Sequence, residues 1–292
     1  MGSARRGMRT RFGWISRVTD DNLHLRVAID ATPQAVFKAL TDPDDLAEWF
    51  TESAEVDLDA NRYAFWGRYA PQGDSARQQL IAATAPESLT YTWSLDGAPA
   101  STVDIAIAAD GDGSVVTLSH DAPADGTLIC FWYVSLANLA AFAEGLQTMP
   151  PFDFSVPAQG DALVRTVIDV GVEEVFASLL DPSQVDKWAR GTAVIEPAVG
   201  GRYDFGWDHG PDRITELDPD KALAYSWRYP DHADTLVRWS LRASRGSTFV
   251  TLVHSGFADD ALAEKYRQGW PPFLVELKRI LEQGNRWQPM RV

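Results

Sequence analysis

Apolar and polar residues alternate at two places in the chain, and each alternation gives way to apolar positions at helical spacing. The first such stretch covers residues 25–40, and the second covers 163–179. Alternation predicts a β-strand, whereas apolar residues three and four positions apart predict one face of an α-helix. The sequence therefore predicts a strand followed by a helix, and it does so twice.

An Asp-Pro pair and then a tryptophan follow each predicted helix. Asp42-Pro43 precedes Trp49, and Asp181-Pro182 precedes Trp188. A residue before proline is disfavoured in the α conformation, so each pair should end one helix and begin a short second one. The tryptophans lie 139 positions apart (188 − 49 = 139), and the two Asp-Pro pairs have the same offset. A constant offset indicates an internal repeat.

Both repeats continue with short alternating segments between Gly, Asp and Pro turns, and both end in a long segment with an apolar stripe. These patterns predict an antiparallel meander that a long helix closes. The predicted strands span 62–69, 78–83, 89–93, 102–108 and 114–120 in the first half, and 201–209, 223–227, 236–241 and 249–254 in the second. The closing helices are predicted at 126–147 and 259–283, and Pro271-Pro272 is expected to kink or interrupt the latter.

This order of elements predicts an α+β fold made of two tandem domains. In each domain a curved antiparallel sheet should wrap around the long C-terminal helix, with space for a ligand cavity between them. We expect an N-terminal tail at 1–21, a first domain at 22–148, a Pro-rich linker at 149–160, a second domain at 161–284 and a C-terminal tail at 285–292.

The net charge of −15 narrows the range of partners. Residues 1–155 carry 10 Lys and Arg against 21 Asp and Glu, so most of the negative charge lies in the first half. Such a surface disfavours nucleic acid and anionic membranes. The five arginines of residues 1–21 are an exception, and a solvated chain start accounts for them better than an anion-binding arm does.

The cysteine content and the lengths of the apolar runs predict the cellular compartment. The single Cys130 excludes an intramolecular disulfide framework and fits a reducing compartment. No run of about 18 apolar residues and no signal-peptide core is visible in the sequence. We therefore expect a soluble, cytoplasmic protein that does not insert into membranes.

Several motifs resemble those of the SRPBCC (START-like, helix-grip) superfamily. They are the opening Val-Phe, Leu-x-Asp-Pro and Trp, the middle Leu-x-Tyr-x-Trp at 89–93 and 223–227, and the closing Thr-Leu-x-His with a later Trp. Within the superfamily they resemble the branch named for homologues of the activator of heat-shock protein 90 ATPase, for which His254-Ser-Gly-Phe257 with Trp270 is a typical ending. The resemblance covers residues 22–147 and 161–283, and it implies tandem helix-grip domains.

The resemblance implies several kinds of function. Members of the superfamily bind lipids, polyketides or hydrophobic drugs, act as cyclases, contact a chaperone, or confer self-resistance to toxic natural products. The first half departs from the branch at His120-Asp-Ala-Pro, where the Ser-Gly-Phe is missing. The complete ending therefore favours the second half as the one with a functional cavity.

Fourteen residues are candidates for the inner walls, because strand parity or the helical stripe points them inward. As ligand-binding aromatics they would supply apolar area and a few polar groups; the alternative is that they fill an ordinary core. They are Tyr63, Phe65, Tyr91, Trp93, His120 and Trp132 in the first half, and Tyr203, Phe205, Trp207, Tyr225, Trp227, Trp239, His254 and Trp270 in the second.

Catalytic chemistry has weaker support in the sequence. His120 and His254 could act as acid or base, although a histidine on an apolar strand face is more often a hydrogen-bonded structural residue. Asp208-His209 is an adjacent acid–imidazole pair, and a solvated strand end is its expected setting. No metal-ligand spacing, no phosphate-binding glycine loop and no Ser or Cys with its own base is visible. Cys130 is expected to be buried rather than reactive.

These observations predict a protein that binds a hydrophobic small molecule in a helix-grip cavity without a cofactor or metal. Sequestration, transport and self-resistance are all compatible with such binding. Two alternatives stay open. One is an interaction module that docks on a chaperone or another basic protein partner, and the other is a cofactor-independent cyclase or hydrolase.

Overall fold

The computed structural model describes residues 22–95, 98–207, 212–228 and 233–290. The arginines of the N-terminal tail and the Asp208-His209 pair lie outside these ranges, so the expectations for them stay predictions. The first half contains, in order, β1 (Leu23–Ile29), α1 (Pro33–Thr41), α2 (Pro43–Trp49), β2 (Ser53–Asp57), β3 (Arg62–Trp66), β4 (Gln78–Thr84), β5 (Ser88–Trp93), β6 (Ser101–Asp110), β7 (Gly113–His120) and α3 (Gly126–Ala143).

The second half repeats this order. It contains β8 (Ala162–Ile168), α4 (Val172–Leu180), α5 (Pro182–Ala189), β9 (Val194–Ile195), β10 (Arg202–Asp204), β11 (Asp212–Asp218), β12 (Ala222–Trp227), β13 (Thr235–Ser244), β14 (Ser247–Ser255) and α6 (Asp260–Gln283). The tandem α+β fold is thereby confirmed. Three strands, β2, β9 and β11, were not predicted from the pattern.

The strands of each half pair antiparallel and follow the same order. The second sheet is continuous, in the order β8-β14-β13-β12-β11-β10-β9, whereas the first divides into β1-β7-β6-β5-β4 and a separate β2-β3 hairpin. Two glutamines bridge the division: Gln78 Oε1 accepts from the Phe65 N–H (3.1 Å), and Gln72 Nε2 donates to the Phe65 carbonyl (2.7 Å). Side-chain amides thus replace the backbone ladder between β3 and β4.

The paired short helices form for the reasons that the sequence suggested. Asp42 and Asp181 have extended backbone conformations, and their carboxylates accept from the first N–H groups of α2 and α5. The indole N–H of Trp49 donates to the Ala39 carbonyl (3.0 Å), and that of Trp188 donates to the Ser178 carbonyl (3.3 Å). Both tryptophans are buried. Each therefore fastens the second helix of its pair to the first.

The closing helix of the second half continues through its two prolines. α6 runs without interruption from Asp260 to Gln283, with Pro271 and Pro272 inside it and buried. The expected interruption at these prolines is therefore wrong, and the expected kink stays a prediction. Trp270, just before them, contacts the rings of Trp227 (5.3 Å) and Trp239 (6.1 Å), so tertiary packing holds the helix together where two backbone donors are missing.

Helix α3 is apolar on all sides, and other elements of the fold cover these sides. It packs against β1 and α1 of its own half and against α6 of the other. By length and composition α3 could cross a membrane, but 78% of it is buried inside the fold. Helices that are hydrophobic all round are typical of a buried core. Beyond its end, Leu146, which was predicted as part of the stripe, is exposed.

A buried polar cluster joins the two halves along the α3–α6 contact. The Glu276 carboxylate of α6 is fully buried; it accepts from the Tyr133 hydroxyl of α3, from Arg190 Nη2 (2.9 Å) and from Trp287 Nε1 (2.9 Å). Arg190 also donates to the Met290 carbonyl (2.8 Å). We call Tyr133, Arg190, Glu276 and Trp287 the interdomain cluster.

Segments predicted as linker and tail pack against the domains. Asn138 of α3 exchanges two hydrogen bonds with the Met149 backbone (2.8 and 2.9 Å), and the Arg267 guanidinium lies 4.1 Å from the Phe152 ring centroid. Trp287 and Met290 are both buried. The chain on either side of the second domain thus contributes to the contact between the halves.

Candidate functional site

The predicted inward-facing residues form two clusters, one between each sheet and its long helix. The first cluster comprises Tyr63, Phe65, Tyr91, Trp93, His120 and Trp132, and the second comprises Tyr203, Phe205, Trp207, Tyr225, Trp227, Trp239, His254 and Trp270. All are buried except Trp207, which is half-buried. Pattern analysis thus located them in the interior, and their role as ligand contacts stays a prediction.

Within each cluster the rings pack on one another. In the second half, Tyr203 stacks on Tyr225 with a centroid distance of 4.1 Å, and Phe205 stacks on Trp207 at 4.6 Å. In the first half, Tyr63 lies 5.0 Å from Tyr91. Such ring contacts stabilise the interior, and an aromatic ligand that stacked on these rings would be stabilised in the same way.

Each half contains the same hydrogen-bonded chain through its histidine. Trp132 Nε1 donates to His120 Nδ1 (3.0 Å), His120 Nε2 lies 2.7 Å from Ser101 Oγ, and Ser101 Oγ donates to the Trp93 carbonyl (3.1 Å). An indole nitrogen can only donate, so Nδ1 accepts and Nε2 carries the proton. We call this arrangement the histidine bridge.

The second histidine bridge has equivalent members. Trp270 Nε1 donates to His254 Nδ1 (3.2 Å), His254 Nε2 lies 2.7 Å from Thr235 Oγ1, and that hydroxyl donates to the Trp227 carbonyl (3.2 Å). Both ring nitrogens are used in each half. The two bridges therefore fasten the long helix to the end of the last strand, and they require neutral imidazoles.

The histidine bridges should make stability depend on pH. Burial lowers the pKa of His120 to about 4, against a smaller opposing effect of Asp121, and burial lowers the pKa of His254 well below its usual value. As the pH falls below about 6.5, the two histidines become protonated in the unfolded chain but stay neutral in the folded protein. Their stabilising contribution is therefore complete above about pH 6.5 and is lost towards pH 4.

His120→Gln should flatten the pH dependence of the free energy of unfolding between about pH 6.5 and 4, by up to about 1.4 kcal/mol per pH unit. Urea unfolding at several pH values measures this slope. The slope must be compared with that of the wild type, because the raised pKa of Asp212 changes the free energy of unfolding with pH in the opposite direction. His24→Gln, at an exposed histidine, serves as the control. An unchanged slope in His120→Gln would show that the bridge does not hold a neutral imidazole.

Asp212 is a buried acid that pattern analysis missed. It begins β11, it is fully buried, and its Oδ1 accepts from the Arg228 N–H (2.8 Å). Burial is the main cause that raises its pKa to about 8, so the carboxyl is largely protonated at neutral pH. Asp212 and Ile214 lie two positions apart and are both buried, as expected for one face of a strand. The segment was not recognised as a strand because it contains residues of both charges.

Trp207 stands at the edge of the second cluster. The chain turns at Gly206 (φ 73°), and the Trp207 ring then contacts Phe205 on the sheet side and Phe273 of α6 (5.3 Å). Gly191 lies so close to the Phe205 carbonyl that a Cβ there would be 1.9 Å from the oxygen. The half-buried indole therefore spans the gap between the sheet and α6.

Other chemistry finds little support in the described ranges. They contain no group of three or more His, Cys, Asp or Glu placed to hold a metal ion. Cys130 is fully buried, and burial raises the pKa of its thiol. The expected burial of this cysteine is confirmed.

The sequence profile described as "Activator of Hsp90 ATPase homolog 1-like protein" matches this chain twice, at residues 30–144 and 169–282. The two matches cover most of the chain and fall on the two halves of the fold. The protein belongs to this family, within the START-like SRPBCC class. A comparison with curated proteins gives no match.

Matches among solved structures cover either about two fifths of this chain or most of it. A Mesorhizobium loti protein is 23% identical, with a TM-score of 0.40 over 42% of this chain and 98% of its own. CalU16 from Micromonospora echinospora is 22% identical, with a TM-score of 0.38 over 41% of this chain and 73% of its own. DynU16, from the dynemicin biosynthetic locus, is 18% identical, with a TM-score of 0.34 over 90% of this chain and 98% of its own.

Proposed function

We propose that the second half of this protein binds a hydrophobic small molecule between its sheet and α6. The ligand class is a lipid, a polyketide or a drug-like natural product, and the binding serves sequestration, transport or self-resistance. The observation that carries the proposal is Trp207, a half-buried indole continuous with a fully buried aromatic cluster. An apolar ligand that stacks there would extend the existing ring contacts.

The polar groups beside this cluster are engaged in hydrogen bonds of the fold, which argues against turnover. His254 uses both ring nitrogens in its bridge, which leaves neither of them for proton transfer. The Tyr203 hydroxyl donates to the Leu179 carbonyl (2.8 Å). Asp212, with its raised pKa, is largely protonated and accepts from the backbone of Arg228. A binding protein therefore fits these contacts better than an enzyme built on the histidines.

Trp207→Ala should weaken binding of fluorene, a neutral apolar probe, by about tenfold, because the ligand loses one stacking partner and its apolar area. Equilibrium dialysis measures the affinity and the number of sites. Trp66→Ala is the matched control, since Trp66 is a half-buried tryptophan on the outer face of β3. Equal affinities in Trp207→Ala and the wild type would remove Trp207 from the site, and a wild type that binds no probe would contradict the proposed function.

A further inference from the structure

Two buried polar groups of the first half lack a hydrogen-bond partner within the described residues. They are the Tyr91 hydroxyl and Gln78 Nε2. Tyr91 is 0% exposed and Gln78 is 8% exposed. Buried side-chain polar atoms are nearly always paired, because burial without a partner costs about 1–3 kcal/mol. These two groups therefore need an explanation.

The hydroxyl of the equivalent tyrosine of the second half has a hydrogen-bond donor in the chain. Tyr225 lies 134 positions after Tyr91, and its hydroxyl accepts from Trp239 Nε1 (3.2 Å). Counting back 134 positions from Trp239 gives Ile105, which occupies the same register: Trp239 pairs with Leu252 and Ile105 with Leu118. Isoleucine has no donor and is smaller than tryptophan. The first half thus lacks both the partner and the indole beside its tyrosine.

The Gln78 amide has a fixed orientation. Its Oε1 accepts from the Phe65 N–H (3.1 Å) and from the Arg77 N–H (3.2 Å), so the oxygen side is taken by backbone donors. The NH₂ group consequently points away from them, as a donor without an acceptor among the described residues. The equivalent position of the second half holds Asp212, again 134 residues later. The first half therefore presents an amide donor where the second presents an acid.

The two donors are neighbours on the inner face of the first sheet. On adjacent strands, Gln78 is opposite Trp93 and Leu80 is opposite Tyr91, which makes Gln78 and Tyr91 diagonal neighbours. Such positions lie about 7–8 Å apart, a separation that aromatic and long side chains can span. Tyr63 and Phe65 provide ring contacts of Tyr91.

The two ends of this interior differ in how they are covered. At the Trp93 end, Phe154 of the linker lies 6.2 Å from the Phe131 ring, and its N–H donates to the Arg68 carbonyl (2.8 Å). Towards the β4–β5 turn, a groove of about 500 Å³ opens between that turn and the start of α2, lined by Phe37, Thr41, Pro43 and Pro86 among others. None of the residues that line this groove belongs to the linker.

We propose that the first half is a second binding site and that it selects apolar ligands carrying a hydrogen-bond acceptor, such as a ketone oxygen. A carbonyl oxygen has two lone pairs, so it can accept from both the Tyr91 hydroxyl and the Gln78 amide. A ligand without an acceptor would leave both donors unpaired. This site rests on the proposed helix-grip binding and extends it to the other half, and its test can fail while the second-half site stands.

The test compares fluorenone with fluorene, which differ only by a carbonyl in place of a methylene group. In the Trp207→Ala background, where the second-half site is weakened, fluorenone should bind to one site more tightly than fluorene. Adding Tyr91→Phe should weaken fluorenone by about three- to tenfold, the worth of one hydrogen bond, and leave fluorene unchanged. Tyr225→Phe, the equivalent change in the other half, should leave fluorenone binding at this site unchanged.

Loss of folding would not explain these results, because Tyr91 has no hydrogen bond to lose within the described part of the chain. Tyr91→Phe should leave the free energy of unfolding unchanged or higher, as urea unfolding will show. Equal binding of the two probes, or fluorenone binding that Tyr91→Phe does not alter, would overturn the proposal and assign the two donors to water instead. A wild type that binds neither probe would contradict the proposed function as well.

Discussion

Replacing Trp188 with alanine is expected to lower the free energy of unfolding by about 3–5 kcal/mol, and Trp49→Ala should do the same in the first half. Trp188 is buried, its ring contacts Phe205 (5.7 Å) and Trp239 (6.0 Å), and its indole N–H caps the carbonyl of Ser178. Alanine would leave a cavity and an unpaired carbonyl at the junction of α4 and α5. Urea unfolding followed by circular dichroism measures the change.

The control for both changes is Trp66→Ala, because Trp66 is half-buried on the outer face of β3. It should cost at most about 1 kcal/mol, as is usual for positions outside the core. If Trp49→Ala and Trp188→Ala also cost less than about 1 kcal/mol, the helix pairs would not depend on these indoles.

Glu276→Ala should destabilise the protein by about 3–5 kcal/mol, because it removes one partner of a buried ion pair. The change leaves Tyr133, Arg190 and Trp287 without the carboxylate to which all three donate. These residues come from α3, from the end of α5 and from the chain after α6, so the loss falls on the contact between the halves. Urea unfolding measures this change as well.

Glu216→Ala provides a matched control, since Glu216 pairs with Arg238 at 2.7 Å and both side chains are about 40% exposed. An exposed pair of this kind contributes about 0–1 kcal/mol. Equal effects of Glu276→Ala and Glu216→Ala would mean that the interdomain cluster does not couple the halves.

The parts of the fold that depend on local sequence could be predicted. Asp42-Pro43 and Asp181-Pro182 determine where helices end, because proline restricts the residue before it and aspartate caps the next helix. The constant offset between the halves then indicated the tandem architecture.

The parts that depend on distant contacts could not be predicted. Helix α6 continues through Pro271 and Pro272 because neighbouring rings hold it, and those neighbours come from strands far away in the chain. Strand β9 has two residues, too few for a periodic signal. In the sequence, Glu276 is one charged residue of a helix among several. Its partners, Tyr133 of α3 and Trp287 after α6, become apparent only in the folded structure.

For the candidate site, strand parity predicted which side chains point inward but not how they pair. The period-2 pattern placed Tyr91 and Tyr225 on equivalent inner positions. It could not show that Trp239 donates to Tyr225 while Ile105 offers Tyr91 no donor, because that difference lies on a neighbouring strand. The two halves therefore look alike in sequence and differ in the polar groups of their interiors.

Native mass spectrometry of the freshly purified protein tests most directly whether these helix-grip interiors hold hydrophobic molecules. The account predicts a bound species with the mass of a small organic molecule, which denaturation releases and which Trp207→Ala retains less well. A spectrum that shows the mass of the chain alone, together with no uptake of added fluorene, would contradict it.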